Sequence, residues 1–438
     1  MRQLLNKALS VADSGEVYKR DVQSTTVDIK LGKLKDVKSE KKREVSLRLT
    51  KSGLMGTSVS TSLEDDTLVD RALIALENQQ SDAVDFPSEP PRMVFSFSPE
   101  VDKLNTEDLT KMAFDLSQRL EKKAPEIPTG IRVHKNIKRI SLLNSAGFNE
   151  TYDYSNLSVS INTLTDKGFM GTSKEYSTGK VPDISDGDLD RLIQRHHLGN
   201  RKITMGNEKI PVIFSGNVMG ALMLRVLGGV NGGNVLKGTS PLQDKIGTQL
   251  FSEKITIRDD GKMAFGVNTC LFDDEGTPAK NTVLYEKGVL KNYLVNIEQG
   301  KKLGQEPTGN ALKRTLFSKE IEDSPSVFDT NLIIEGDHRE DQLIIKGIKR
   351  GLLITGVMGA HTGNINRGDF SLNISSGYLI ENGELQGQVK GAMIAGNIYD
   401  LFKNVEAIGT HYEVMRSIFY HMGYSPMVLF REASIVGK

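Results

Sequence analysis

Cysteine is almost missing: Cys270 stands alone among 438 residues. No internal disulfide can form, and without a CxxC pair zinc ribbons and thioredoxin-type exchange are excluded. Such cysteine usage fits a reducing, cytoplasmic compartment. An excess of one charge is missing too. Lys plus Arg and Asp plus Glu both total 56, so no net field draws the chain to nucleic acid or to an anionic bilayer. Long apolar runs are also lacking. The most apolar stretch, 210–227, carries Pro211, Ser215, Asn217 and Arg225 and falls short of the about 20 apolar residues that span a bilayer. The N-terminus has no apolar signal core, and Leu4, Leu5, Ala8, Leu9 and Ala12 recur there at helical spacing instead. Neither direct nucleic-acid contact nor a membrane is expected.

Familiar catalytic patterns are scarce. The seven histidines form no HExxH and no pairing with cysteines. No GxSxG elbow occurs, and Cys270 reads as a buried thiol. The run Gly232-Gly233-Asn234-Val235-Leu236-Lys237-Gly238-Thr239-Ser240 puts lysine before glycine, the reverse of a phosphate loop. Two segments keep chemical interest. His361 lies in the glycine-rich loop Gly359-Ala360-His361-Thr362-Gly363-Asn364, as an exposed base or an ordinary loop histidine. Asp273, Asp274 and Glu275, in the run from Phe272 to Pro278, suit a hard cation or an acid and base pair, and equally a plain turn. The lysine-rich stretch 33–43 is balanced by Asp36, Glu40 and Glu44 and reads as a solvated hairpin.

Organisation is legible in the periodicities. The length allows roughly two or three domains. Helical spacing predicts helices over 63–79, with Ser62 and Asp65 as a capping box, and over 106–122 and 188–197. A hairpin-like segment precedes each of two similar runs: Gly168-Phe169-Met170-Gly171-Thr172-Ser173 nearly copies Gly53-Leu54-Met55-Gly56-Thr57-Ser58. The copy points to duplication, or to a strand entered twice through the same glycine turn. Pro87, Pro90 and Pro91 mark a junction. Beyond residue 209 short β runs dominate (212–215, 254–258, 282–285, 289–295, 331–334, 351–355, 427–430), with helices over 219–227, 339–349 and 397–404. The expected class is α+β: α/β units at 1–86 and 106–198, linkers at 87–105 and 199–209, and a large, mainly antiparallel β-rich domain at 210–438.

Several blocks of the last domain are similar to the TldD/PmbA family, also described as modulators of DNA gyrase. They are the 272–278 run, VLYEKGVLKNYL at 283–294, KLGQEPTGNA at 302–311, GDFS at 368–371, GYLIENG at 377–383 and IAGNIYDLFKN at 394–404. The resemblance implies two small N-terminal domains, a β-rich C-terminal domain and intracellular proteolysis. TldD-type members carry H-E-x-x-x-H, whose histidines, with a cysteine near the chain's end, are associated with a metal. The glutamate is the general base. Aligned on the block at 237–240, the three functional positions fall at Met223, Leu224 and Gly228, none of which binds zinc or accepts a proton. Cys270 lies far from the chain's end.

The departure implies the PmbA/TldE branch. The expected role is a non-catalytic subunit beside a TldD-like partner that supplies the zinc, this chain binding no cofactor, with peptides or unfolded proteins as substrates and self-association when the partner is absent. The groove or interface is expected around Arg225, Asn231, Asn234 and Lys237, with Asp273, Asp274, Glu275 and His361. Two alternatives stay open: a peptidase with a non-standard site drawn from His361, His411 or His421 with the 273–275 carboxylates, and a non-enzymatic modulator that binds gyrase or another protein.

Overall fold

The computed structural model describes residues 1–78, 84–164, 170–314, 321, 324–417 and 420–437. The N-terminal part is built of α1 (Arg2–Leu9), β1 (Ser14–Lys30), β2 (Lys33–Lys51), β3 (Leu54–Ser60), α2 (Leu68–Asn78), α3 (Pro99–Lys103), α4 (Thr106–Lys123), β4 (Thr129–Asn144), β5 (Asn149–Leu164), β6 (Met170–Thr178) and α5 (Asp186–Asn200). Its six strands form one sheet in the order β3-β2-β1-β4-β5-β6. The units expected on either side of 87–105 thus share a sheet: β1 and β4 pair antiparallel from Glu16↔Asn144 to Lys30↔Gly130. Two pairs of helices, side by side, cover one face. Leu4, Leu5, Leu68 and Ala72 pack on Val17, Val45 and Leu47, while Leu109, Leu116 and Leu189 pack on Val27, Val133 and Val159. This segregation follows from period-two alternation in the strands meeting period-3.6 stripes in the helices.

Two local expectations change. The helix expected from residue 63 begins at Leu68, because Ser62 and Asp65 hold the N–H groups of Glu64 and Thr67, two residues on, in turns rather than a capping box. The box appears instead at α4, between Asn105 and Asp108. Residues 33–43 are exposed along β2, as a solvated hairpin requires.

The repeated hexapeptide occupies opposite edges of the sheet, in β3 and β6, the second copy's Gly168 and Phe169 lying outside the described residues. Gly56 lets α2 lie directly on β3: a Cβ there would sit 2.0 Å from the Ala72 carbonyl oxygen. Its counterpart Gly171 faces Thr163 and His196 of α5, with the nearest atom, the Thr163 hydroxyl, at 2.8 Å. Gly56→Ala should therefore cost about 1–3 kcal/mol through overpacking, against backbone that cannot rotate away, and Gly171→Ala distinctly less. Urea midpoints of the two variants check this; equal losses would contradict it.

The C-terminal part follows through β7 (Lys202–Thr204), β8 (Glu208–Phe214), α6 (Met219–Val230) and α7 (Gly232–Leu236). β8 pairs with Arg350–Met358 on one side and Val428–Val436 on the other. The pairings continue through Met393–Asn397 and Asp369–Glu381 and return to Arg350–Met358, so five strands close a ring. Glu384–Lys390 and β7 extend it outward. A second, six-stranded sheet runs from Val289–Leu290 to Glu413–Arg416. The expected strand 289–295 ends at Leu290, since Leu294 N–H turns to the Val230 carbonyl behind α6. α6 lies in the largest apolar core, with Phe214, Leu284, Ile354, Leu372 and Phe430. No helix among the described residues is long and apolar enough to cross a membrane.

Candidate functional site

At the position of the divergent motif, α6 is packed solid. Met223 and Leu224 are buried in the main core, and a Cβ on Gly228 would come within 3.1 Å of the Ile365 carbonyl oxygen. Arg225 has 0% of its surface exposed, so it is not available to a groove. Its guanidinium donates to four backbone carbonyls: Ala221 (2.7 Å), Ala360 (2.6 Å), Thr362 (2.6 Å) and Asp369 (3.0 Å). Burial lowers its pKa to about 10, the nearby Asp369 carboxylate acting the other way. The two carbonyls flanking His361 are thus fixed on α6, and the exposed His361 is carried on that loop.

The asparagines belong to the same framework. The Asn231 side chain caps α7 through the Gly233 N–H (2.9 Å) and donates to Val327 O (3.2 Å). Asn234 donates to Gly228 O (2.8 Å) and Asn366 (3.2 Å). Lys237, at the end of α7, is exposed.

The 273–275 carboxylates lie elsewhere, against the N-terminal sheet, where Phe272 meets the rings of Phe148 (5.1 Å) and Tyr152 (5.0 Å) edge-on. Asp273 is buried and shapes the turn, accepting N–H groups of Glu275 (3.0 Å), Thr277 (2.9 Å) and Ala311 (2.9 Å). Glu275 is buried as well, accepting Ile297 N–H (3.1 Å) and facing Arg48 (3.8 Å). Arg48 in turn holds Glu16 at 2.8–2.9 Å. Asp274, by contrast, lines a cavity.

His361, His411 and His421 do not converge. His411 lies 3.9 Å from Asp188, and His421 bonds Glu175 at 2.9 Å. Among the described residues no three His, Cys, Asp or Glu side chains come close enough to hold a metal ion. The residues present at α6 do not fit a zinc site.

That cavity, about 320 Å³, lies between the uncovered face of the N-terminal sheet and the loops of the C-terminal part. Alternate residues of β4, His134, Asn136 and Lys138, share its floor with Tyr18 and Arg20 of β1 and Tyr154 of β5. Lys138↔Tyr154 and Asn136↔Asn156 are cross-strand pairs. Asp274, Lys313, Arg314 and His421 close it from the other side. The Tyr154 hydroxyl is fixed on Val267 O (2.5 Å). None of the β1, β4 and β5 residues was singled out in the sequence. The only signal was period two: polar and aromatic residues recur on the strand face opposite Val133 and Val159, a pattern that also describes a plain solvated face.

Comparison with known proteins bears on the whole arrangement. Residues 207–437 match the PmbA/TldA metallopeptidase C-terminal domain, and 15–78 match domain 1 of the same family. The metalloprotease PmbA of Escherichia coli O157:H7 is 24% identical over 464 aligned positions, covering 100% of this chain and 97% of that protein. An uncharacterized protein of Methanocaldococcus jannaschii is 39% identical over 170 residues, 39% of this chain and 38% of that one; a Methanothermobacter thermautotrophicus metalloprotease is likewise spanned over only 38% of its length. In structure, TldE from Thermococcus kodakarensis superposes with a TM-score of 0.90 at 22% identity over 100% of both chains. A Thermotoga maritima protein described as a candidate modulator of a DNA gyrase gives 0.85 at 22%, over 99% of this chain and 100% of that one. With the C-terminal domain alone matching more than half of its length, this chain belongs to the PmbA/TldA metallopeptidase family.

Proposed function

We propose that this chain is the non-catalytic, PmbA/TldE-like subunit of a cytoplasmic two-subunit metalloprotease. A TldD-like partner holds the zinc and the general base, and this chain helps to receive peptides or unfolded proteins. One observation carries the reading: the three positions of the metal motif hold Met223, Leu224 and Gly228, and the space where ligands and water would sit is occupied by packed core. A zinc protease needs three protein ligands and an open position for water; α6 offers neither. Alone, the chain pairs with itself through the surface it would offer its partner.

Co-expression with a TldD-like protein of the same organism tests this. The two chains should co-purify, peptide cleavage should require both, and zinc should remain with the partner. Cleavage by the partner at an unchanged rate without this chain, with no complex in solution, would refute the proposal. A gyrase-directed role would instead show gyrase in the pull-down with no TldD-like chain present.

A further inference from the structure

We propose that the cavity between the N-terminal sheet and the C-terminal part binds a small organic anion that also carries a hydrogen-bond donor, with the Lys138 ammonium as its principal counter-charge. The inference does not depend on the subunit role above. Among the described residues five cations line the cavity, against two carboxylates, Asp274 and Glu175. Most of this charge is spoken for. Arg20 is paired with Glu44 (2.5 Å), Arg314 with Asp329 (3.4 Å), and Arg416 with Glu175 (3.4 Å), which also takes His421. The Asp274 carboxylate accepts the Lys313 backbone N–H (2.6 Å).

Two ammonium groups remain. That of Lys313 donates to the Ser46 hydroxyl (3.0 Å). That of Lys138 stands 5.0 Å over the Tyr154 ring and, among the described residues, has neither ion pair nor hydrogen bond. An ammonium has three donors, and those of the half-buried Lys138 stand open to the cavity. Burial, with Arg20 nearby, already lowers its pKa to about 8.

The opposite want lies beside it. Asn136 has a buried side-chain oxygen with no partner, on the same strand face two residues away. A ligand satisfying both presents an anion to Lys138 and an N–H or O–H to Asn136. The rings of Tyr152 and Tyr154 wall its apolar body. A volume of about 320 Å³ suits a small molecule or one terminal residue of a peptide. A carboxylate and a phosphate share this chemistry.

The experiment titrates the full chain with inorganic phosphate, with N-acetylalanine, and with neutral N-acetylalanine methylamide, by calorimetry. Saturable binding of phosphate, of N-acetylalanine or of both is expected, and none of the methylamide; which anion binds assigns the source. Lys138→Met should weaken it at least about tenfold, the worth of a charge-assisted hydrogen bond, and Lys138→Arg should restore most of it. Without ligand, Lys138→Met should melt no lower than the parent. A second readout needs no variant: saturating anion should slow reductive methylation of Lys138, read by mass spectrometry, and leave the exposed Lys237 unaffected. No saturable binding of either anion, undiminished affinity in Lys138→Met, or no protection of Lys138 would each overturn the proposal.

Discussion

Arg225→Met should lower the unfolding free energy by about 3–5 kcal/mol, the range seen when a buried charged partner is removed and its neighbours are left unmet. The substituent is apolar and of similar length, so the loss isolates the guanidinium. The carbonyls of Ala360, Thr362 and Asp369 lose this donor together, while Ala221 keeps its place in the helix ladder, and turning the three to water would pull the 359–369 segment off α6. Arg225→Lys should recover less than half, because one ammonium cannot span carbonyls placed around a planar fork. The C-terminal transition in urea reports the loss, and amide exchange in 359–363 should speed up with it. A change below about 1 kcal/mol, at the level of a single neutral hydrogen bond, would mean that the carbonyls find other donors.

Arg48→Met should be comparably damaging, again by about 3–5 kcal/mol, for a different reason. Glu16 and Glu275 are both buried, and Arg48 is the cation that touches both, with the buried Lys313 ammonium acting on them from further off. Burial already raises the Glu16 pKa against the pull of Arg48, so removing the guanidinium raises it further. A carboxyl whose folded pKa exceeds its unfolded value stabilises at low pH, and that contribution is lost as pH rises through the folded value. The gap between parent and variant should therefore be wide at neutral pH and narrow toward acid. Adding Glu16→Gln should recover part of the loss. Denaturant midpoints across pH 4 to 8, roughly the span over which such a carboxyl titrates, check this; a gap independent of pH would show that lost packing, not stranded charge, is responsible.

Much of the fold was legible before the structure. The apolar stripe of α4, the all-round apolar character of α6 and the density of β runs beyond residue 209 each follow from periodicity. What failed was decided over distance. Ser62 and Asp65 carry capping chemistry, but the same side chains serve turns equally well, and here they close turns ahead of a helix that starts at Leu68 and packs on Gly56. That β1 and β4 share a ladder is invisible locally, since either strand alternates as if it were an edge. Arg225 read as an interruption of an apolar helix because three of its four acceptors lie 135–144 positions away. The cavity was unreadable for the same reason: Lys138, Tyr154 and Lys313 meet through strand register and domain packing, and no spacing announces them. The carboxylate run at 273–275 was conspicuous, yet two of its three members serve backbone and buried charge.

The closed ring also sets an order of events during synthesis. Its strand Val428–Val436 fits between β8 and Met393–Asn397, so the circuit is incomplete until residues more than two hundred positions after β8 have emerged from the ribosome. The N-terminal sheet has all its strands by Thr178 and can assemble long before. Until then β8 presents unpaired edges to its surroundings, a template for stray strands. Nascent chains stalled short of residue 428 should thus be ordered at the front, sticky at the back, and dependent on chaperones for the interval between.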